Sequence, residues 1–451
     1  MAKYQQYEEY KNSGIEWLGK IPHGWKVLRG KYVFQEFRER STTGEEVLLS
    51  VSEYYGVKPR SEKISEGDHL SRAESLVDYK KCYKNDLVMN IMLAWKRGLG
   101  VSKYDGIVSP AYSVFRFNKD IHPYFMHHLF RTDLYTSHFK TRSTGVIDSR
   151  LRLYPESFLD TEILIPSYDE QAQIANFLDH ETAQIDTLIE KQKTLIQLLK
   201  EKRQAVISHA VTKGLNTDAP MKDSGVEWLG EVPKHWVVAT VRRIISRMEQ
   251  GKSPQCESSP AKLDEWGVLK TSCVNGGNFQ EEENKLLPSH IAPHEEYEVK
   301  AGDLLMSRAS GSINLIGSVV LVQNNVRAKL LLSDKVFRIY LNKDYDSLFF
   351  TYLMSSSYMR SSIEVAISGA EGMANNIAKS SIMEFVIPIL PIDEQIEIAS
   401  YIEAIESKYS FLILKAEQAI QLMQERRTAL ISAAVTGKID VRGWVEHDGL
   451  N

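Results

Sequence analysis

The sequence predicts an α+β fold, with two mixed α/β modules in tandem repeat separated by two long helices that pair as a coiled coil. Three observations predict it. The phrase SGIEWLGKIPHGW, starting at Ser13, returns as SGVEWLGEVPKHW at Ser224, identical at eight of thirteen positions. The phrase EKRQAVISHAVT, starting at Glu201, returns as ERRTALISAAVT at Glu425. Between each pair of phrases, short apolar runs of strand character give way to a long stretch of helical periodicity. One unit is written twice.

The helices are the plainest elements. From Asp169 to Thr212 there is neither Gly nor Pro, and Ile174, Leu178, Ile185, Leu188, Leu195, Leu199 and Val206 fall on one stripe. Their counterparts 224 residues later are Ile398, Ile402, Tyr409, Leu412, Ala419, Met423 and Leu430, so the heptad register is kept between copies. A helix of about 44 residues spans roughly 65 Å, more than a lone amphipathic helix needs for packing on its own domain. Ser167-x-x-Glu170 reads as a capping box, Pro391 suits a first turn, and Gly214 and Gly437 stand where C-terminal glycines belong. The chain therefore divides into a first module (1–168), a first long helix (169–215), a linker (216–223), a second module (224–390), a second long helix (391–437) and a tail (438–451).

The module interiors read as strands: GIVSPAYSVFRF in the first, IGSVVLVQ and KLLLSDKVFRIYL in the second. Fainter echoes join them. Asp86-Leu87 precedes Gly100 as Asp303-Leu304 precedes Gly317, and Val114-Phe115-Arg116 matches Val336-Phe337-Arg338. An aromatic helical segment follows in each, YFMHHLF from Tyr124 and LFFTYLM from Leu348. The flanks and helices stay similar while the interiors diverge, the pattern of a constant scaffold presenting two different readers.

Bulk composition bounds the function. With 451 residues, 43% apolar and 25% charged, the chain has ample material for cores. Three scattered cysteines (Cys82, Cys256, Cys273) speak against a disulfide framework and fit a reducing cytoplasm. No apolar run has the length of a membrane span, so no membrane partner is expected. Net charge is −4, yet Lys26 to Pro166 holds 22 basic against 18 acidic residues, and Val237 to Pro388 holds 16 against 17. A whole-chain sum hides such unevenness.

Catalytic motifs are incomplete. Gly251-Lys252-Ser253 ends like a phosphate loop, but Ser246 stands where its first glycine belongs. Lys103 replaces the third glycine of a dinucleotide loop, and HEEYE at His294 lacks a second metal-binding His. There is no Asn/Asp-Pro-Pro-aromatic box for base methylation and no paired-acid-plus-lysine nuclease cluster; Glu406-x-Lys408 lies within the long helix. Neither a catalytic residue nor a metal or cofactor ligand is expected in this chain.

Nucleic-acid binding leaves a different trace, basic and short polar side chains on loops interleaved with aromatics. In the first module, Lys96 and Arg97 follow Trp95, and STGVIDSRLR offers Ser143, Thr144, Arg150 and Arg152. In the second, SRASGS carries Arg308, Ser310 and Ser312, and GAEGMANN ends in Asn375 and Asn376. Arg suits guanine edges, Asn suits adenine, and Ser suits phosphate. These eleven residues are the candidate DNA contacts, and they fall at similar places in both modules.

The doubled Trp phrase, IPSYDEQ and IPILPIDEQ introducing the helices, and AVISHAVT and ALISAAVTGKID closing them resemble a type I restriction–modification specificity subunit, from about Tyr10 to Gly443. The first copy departs from the pattern only in lacking a second proline before its helix. The resemblance implies two target-recognition domains in pseudo-two-fold arrangement, each reading one half of a bipartite asymmetric site in double-stranded DNA. It implies an antiparallel helix pair that sets the spacer and docks two modification (methyltransferase) subunits, with two restriction subunits in the full complex. S-adenosylmethionine, ATP and Mg belong to those partners. Trp17, Trp25, Trp228 and Trp236 are expected to pin each entry strand to its core or helix base. Two other readings stay open at this stage, a coiled-coil adaptor that does not touch DNA and a stand-alone site-specific nuclease.

Overall fold

A computed structural model of the chain describes residues 4–60, 75–368 and 375–446. They divide into two compact units, one built from residues 1–192 and 418–451 and the other from 193–417.

The first unit centres on a four-stranded antiparallel sheet ordered Phe34–Phe37, Tyr112–Phe117, Leu87–Asn90, Leu99–Val101. Alternation along these strands feeds two cores. Leu87, Met89 and Phe115 face the larger core, while Val88 and Val114 face a smaller one with Leu49, Val51 and Val57. Three short helices follow: α1 (Pro123–Phe130), α2 (Asp133–Arg142) and α3 (Pro155–Leu159). Phe125, Phe130, Phe139 and Phe158 are fully buried in the larger core. Strand Glu162–Ile165 then pairs with Lys26–Arg29 and leads into the long helix α4 (Tyr168–Lys213).

The second unit repeats this plan. Its sheet is ordered Ile245–Gln250, Val336–Leu341, Leu304–Ser307, Val319–Leu321. It is followed by α5 (Ser347–Ser355), α6 (Ser357–Ala366), α7 (Lys379–Met383), strand Val386–Ile389 and the long helix α8 (Ile392–Val435). From the strand beginning at Tyr112 or Val336 onward, the two copies keep a constant offset of 224 residues, so Val114-Phe115-Arg116 takes the place of Arg338-Ile339-Tyr340 and not of Val336-Phe337-Arg338. Ahead of it, the offset grows from 211 (Phe34 to Ile245) through 217 (Leu87 to Leu304) and 220 (Leu99 to Val319). The changes of length lie in connections between sheet strands, apart from one residue that enters strand Ile245–Gln250 as a bulge between Ile245 and Arg247.

Each long helix is anchored at its base by an Asp-Glu-Gln triplet. Ser167 Oγ caps α4 by accepting from the Glu170 N–H (3.3 Å). The rest of the expected capping box is absent. Instead, the Glu170 carboxylate accepts from Trp25 Nε1 (2.9 Å) and the Tyr7 hydroxyl (2.6 Å). In the other copy Glu394 accepts from Trp236 Nε1 (3.0 Å) and meets His235 Nε2 (2.9 Å). The glutamines act alike: Gln171 bonds the His122 N–H and the Pro166 carbonyl, and Gln395 bonds the Asp346 N–H and the Leu390 carbonyl. The Trp phrase is therefore a clasp between entry strand and helix base.

Three of its four tryptophans meet that expectation. Trp25 and Trp236 are buried, and Trp17 stacks on His138 at 3.9 Å. Trp228 does not; it is half exposed. The residue at the position of His138 is Ser362, which has no ring to stack on.

The helices run antiparallel. In the first unit the start of α4 (Ile174, Leu178, Ile185, Ile189) shares a core with the end of α8 (Leu430, Ala433, Ala434), and Asp186 pairs with Arg427 at 2.9 Å. In the second unit Ile207, Ala210 and Val211 share a core with Ile398, Ala399 and Ile402. The stripe differs from the expected one in its middle. Leu188, Leu195 and Leu412 are exposed, whereas Ile189 and Ile196 turn inward. A seam of alternating three- and four-residue steps through Ile185, Ile189, Gln192, Ile196 and Leu199 allows a polar residue at one step, and the leucines beside it mislead. Both helices end in left-handed glycines, Gly214 (φ +74°) and Gly437 (φ +71°).

Beyond α8, the tail returns to the first unit. The Asp440 N–H bonds the Gln5 carbonyl, and Trp444 packs edge-on against Phe177. Among the described residues, no helix is long and apolar enough to cross a membrane.

Candidate nucleic-acid interface

In each unit the two candidate segments, far apart in sequence, meet at one end of the sheet. Strand Leu87–Asn90 leaves the sheet at Asn90, whose side chain accepts from the Met92 N–H (3.0 Å), and the chain makes a tight turn through Ala94–Lys96. Arg97 adopts a left-handed conformation (φ 63°) that returns it to the sheet. The second segment is a loop closed by paired bonds between Thr144 and Arg152 (2.9 and 3.0 Å). It is tied to the first by the Leu153 N–H donating to the Ile91 carbonyl (2.8 Å). Arg131 locks the arrangement from behind, with one guanidinium nitrogen on the carbonyls of Arg97 (2.6 Å) and Leu99 (2.9 Å). Burial pushes its pKa down to about 10.

The side chains are not all equally available. Lys96 and Lys140 both lie over the Trp95 ring, at 4.8 and 4.9 Å. Arg97 pairs with Asp133 at 2.5 Å, an exposed pair whose net stabilisation is small and which a phosphate can replace. Arg150 is exposed and Arg152 half-buried. Ser143 donates to the Phe139 carbonyl (2.7 Å) and so finishes α2. Thr144 contributes main-chain bonds that close the loop. A cavity of about 340 Å³ opens beside this cluster, lined by Tyr54, Trp95, Lys96, Arg97, Asp133 and Thr136 among others.

The second unit uses the same place with different chemistry. Strand Leu304–Ser307 leads into Arg308 and a short strand, Ala309–Ser310, that pairs with Asn375–Ile377, itself paired with Ile367–Ser368. The Ile377 N–H donates to the Arg308 carbonyl (2.9 Å), the counterpart of the Leu153–Ile91 bond. Arg308, Ser310, Asn375 and Asn376 are half-buried in this patch and Ser312 is exposed. The Arg308 guanidinium donates to the Asp334 carbonyl (3.2 Å), and Ser310 Oγ accepts from the Ser312 N–H (3.2 Å). Arg360 holds the following turn through the Ile316 carbonyl (2.6 Å). The first six residues of GAEGMANN lie outside the described residues.

Sequence reasoning missed Tyr54, Lys140 and the pair Val146–Ile147. Tyr54 occupies the turn between strands Leu49–Ser52 and Gly56–Pro59, a hairpin that Gly56 at φ +84° marks. Lys140 is a helix residue and carries no loop signal. Among the described residues, no group of three or more His, Cys, Asp or Glu side chains could hold a metal ion.

No family model matches the chain. It is 24% identical to the type I restriction enzyme EcoKI specificity subunit of Escherichia coli K12 over 453 aligned residues, 96% of this chain and 93% of that one. It is 28% identical to the EcoEI specificity subunit of Escherichia coli over 248 residues, 54% of this chain and 41% of that one. Among solved structures, the HsdS subunit from Thermoanaerobacter tengcongensis superposes with a TM-score of 0.56 at 17% identity, covering 93% of this chain and 98% of that one. A chain from a structure addressing complex assembly and conformational transition of the type I R-M system gives 0.67 at 16% identity, covering 92% and 98%. Those two likenesses show the fold.

Two repeated α/β units carried on paired long helices are the fold these findings define. The chain is similar over nearly its whole length to the specificity subunits of type I restriction–modification systems, and it shares the fold of the HsdS subunit.

Proposed function

We propose that this chain reads a bipartite, asymmetric sequence in double-stranded DNA, one half-site per unit, and sets the spacing through its helices. One observation carries the reading. The two units share strand order, helix order and clasp, yet at the same end of the sheet one presents Lys96, Arg97, Arg150 and Arg152 and the other Arg308, Ser310, Ser312, Asn375 and Asn376. Two different readers on one repeated frame suit two different half-sites.

The helices supply docking faces for two modification subunits. Leu188 and Leu198 on α4 are exposed, and so are their repeats Leu412 and Leu422 on α8. Glu190, Lys193, Gln197 and Lys200 flank the first pair, and Glu417, Gln421, Gln424 and Glu425 the second. A partner that uses one such face finds an equivalent one, which favours two copies. The complete complex adds two restriction subunits, works in the cytoplasm, and carries S-adenosylmethionine, ATP and Mg on the partners.

Methylation sequencing of cells expressing the modification subunits with and without this chain tests the reading. A split methylated motif that appears only with the chain is expected, and Arg308→Ala or Asn376→Ala should relax one half of it alone. Loss spread evenly over both halves would assign these residues to fold or phosphate contact. Retention of the motif without the chain would remove the proposed function altogether.

A further inference from the structure

We infer that Val146 and Ile147 read thymine methyl groups in the half-site of the first unit. The inference rests on the DNA-reading function proposed above and names one of its specificity-determining elements. Val146 is 96% exposed and Ile147 54%, at the tip of the loop between Thr144 and Arg152. Val146 is thus almost wholly open to solvent, and about half of Ile147 is uncovered beside it.

The loop around them is fixed. Besides the Thr144–Arg152 bonds, the Arg150 N–H donates to the Ile147 carbonyl (2.8 Å), and Lys140 Nζ pairs with Asp148 (2.9 Å). The Leu153–Ile91 bond fastens its base to the sheet. β-Branched side chains have few χ1 states to lose, so a tip held in this way docks at little entropic cost.

Charge selects what the tip meets. Arg150 lies within the same turn, Arg152 at its closure and Lys96 over the neighbouring Trp95 ring, while Asp148 of the turn is matched by Lys140. A surface that welcomes these cations and also offers apolar contact is the DNA major groove. There the C5 methyl of thymine is the apolar feature on the base edges, and aliphatic side chains are its usual partners.

The test uses the complex of this chain with its modification subunits and duplexes carrying the methylated motif, with thymines of the first half-site replaced singly by deoxyuridine. Burying one methyl is worth ~0.8 kcal/mol, so at least one replacement should weaken binding about fourfold. A Val146→Ser, Ile147→Ser double variant should bind thymine and deoxyuridine duplexes equally and keep full discrimination in the second half-site. Specific binding without any response to methyl removal would overturn the inference and leave the DNA-reading function standing. A first half-site made only of G·C pairs, or a methyl response that survives in the double variant, would do the same. If the variant no longer retains the modification subunits, the tip belongs to a protein interface instead. Absence of any sequence-specific binding by the unaltered complex would overturn both this inference and the function beneath it.

Discussion

Glu170 and Glu394 join segments far apart in the chain. Each takes an indole N–H from the Trp phrase, and Glu170 also takes the Tyr7 hydroxyl. Because Trp25 is buried, removing the carboxylate leaves its N–H without an acceptor in a place water does not reach. Glu170→Ala should therefore destabilise the first unit by about 2–3 kcal/mol, the range for losing charged hydrogen bonds with a donor left unpaired. Glu170→Gln keeps a carbonyl acceptor and should cost about half as much. Native-state hydrogen exchange on strands Lys26–Arg29 and Glu162–Ile165 would read both effects locally. Unchanged protection in Glu170→Ala would mean that the clasp adds nothing to stability.

At the scale of elements, the helix seam separates residues that look alike in the sequence. Ile189 is buried and Leu188 half exposed, one position apart. Ile189→Ala should cost about 2–4 kcal/mol through lost burial and a cavity, and Leu188→Ala less than ~1 kcal/mol; urea denaturation distinguishes them. Replacing Leu188 and Leu412 together by Lys should instead reduce capture of the modification subunits while leaving the fold intact. Helix α1 carries a titratable element of its own. His127 is half-buried, and its Nδ1 accepts from the Val101 N–H (3.1 Å). Burial first, then the charges of His128, Arg131, Lys103 and Arg427, hold its pKa well below the usual 6.5. The unfolded chain binds this proton below pH 6.5 and the folded one does not, so stability is full above that pH and falls beneath it by up to about 1.4 kcal/mol per pH unit. His127→Gln, which can still accept from Val101, should flatten the acid slope measured by denaturant titration between pH 5 and 6.5. The sequence showed the helices, the strand runs and the repeat because each is a local pattern: Gly- and Pro-free heptads, β-branched runs, matching phrases. It could not show that Ser143 is occupied by a helix end or that Gln192 enters the seam, because those depend on which neighbours fold back onto them. The meeting of AWKRG with STGVIDSRLR was equally hidden, resting on one main-chain bond between Leu153 and Ile91. Val146 and Ile147 passed unnoticed because an apolar pair reads as core until its exposure is known.

On the scale of the whole molecule, the proposed ruler makes a geometric claim. Four residues inserted after Leu199, with four more after its repeat Met423, lengthen each helix by about 6 Å and nearly preserve the seam. B-DNA rises ~3.4 Å per base pair, so the preferred spacer should grow by one to two base pairs with both half-sites unchanged. Two-residue insertions turn the stripe by about 200° and should break assembly. Methylation sequencing reads both outcomes, and a four-residue insertion that alters half-site bases at constant spacing would end the ruler idea. The way the chain threads its two units has another consequence, for the order in which a ribosome can finish them. The second unit is one uninterrupted stretch, residues 193–417, whereas the first needs residues 418–451 as well. Leu430, Ala433, Val435, Ile439 and Val441 belong to the core that Trp25 and Phe34 begin. The half made first must therefore wait, its apolar face uncovered, until the chain beyond residue 417 has been made, and the half made second closes before it. Chains arrested at Glu417 should resist protease across the second unit and be cut within the first.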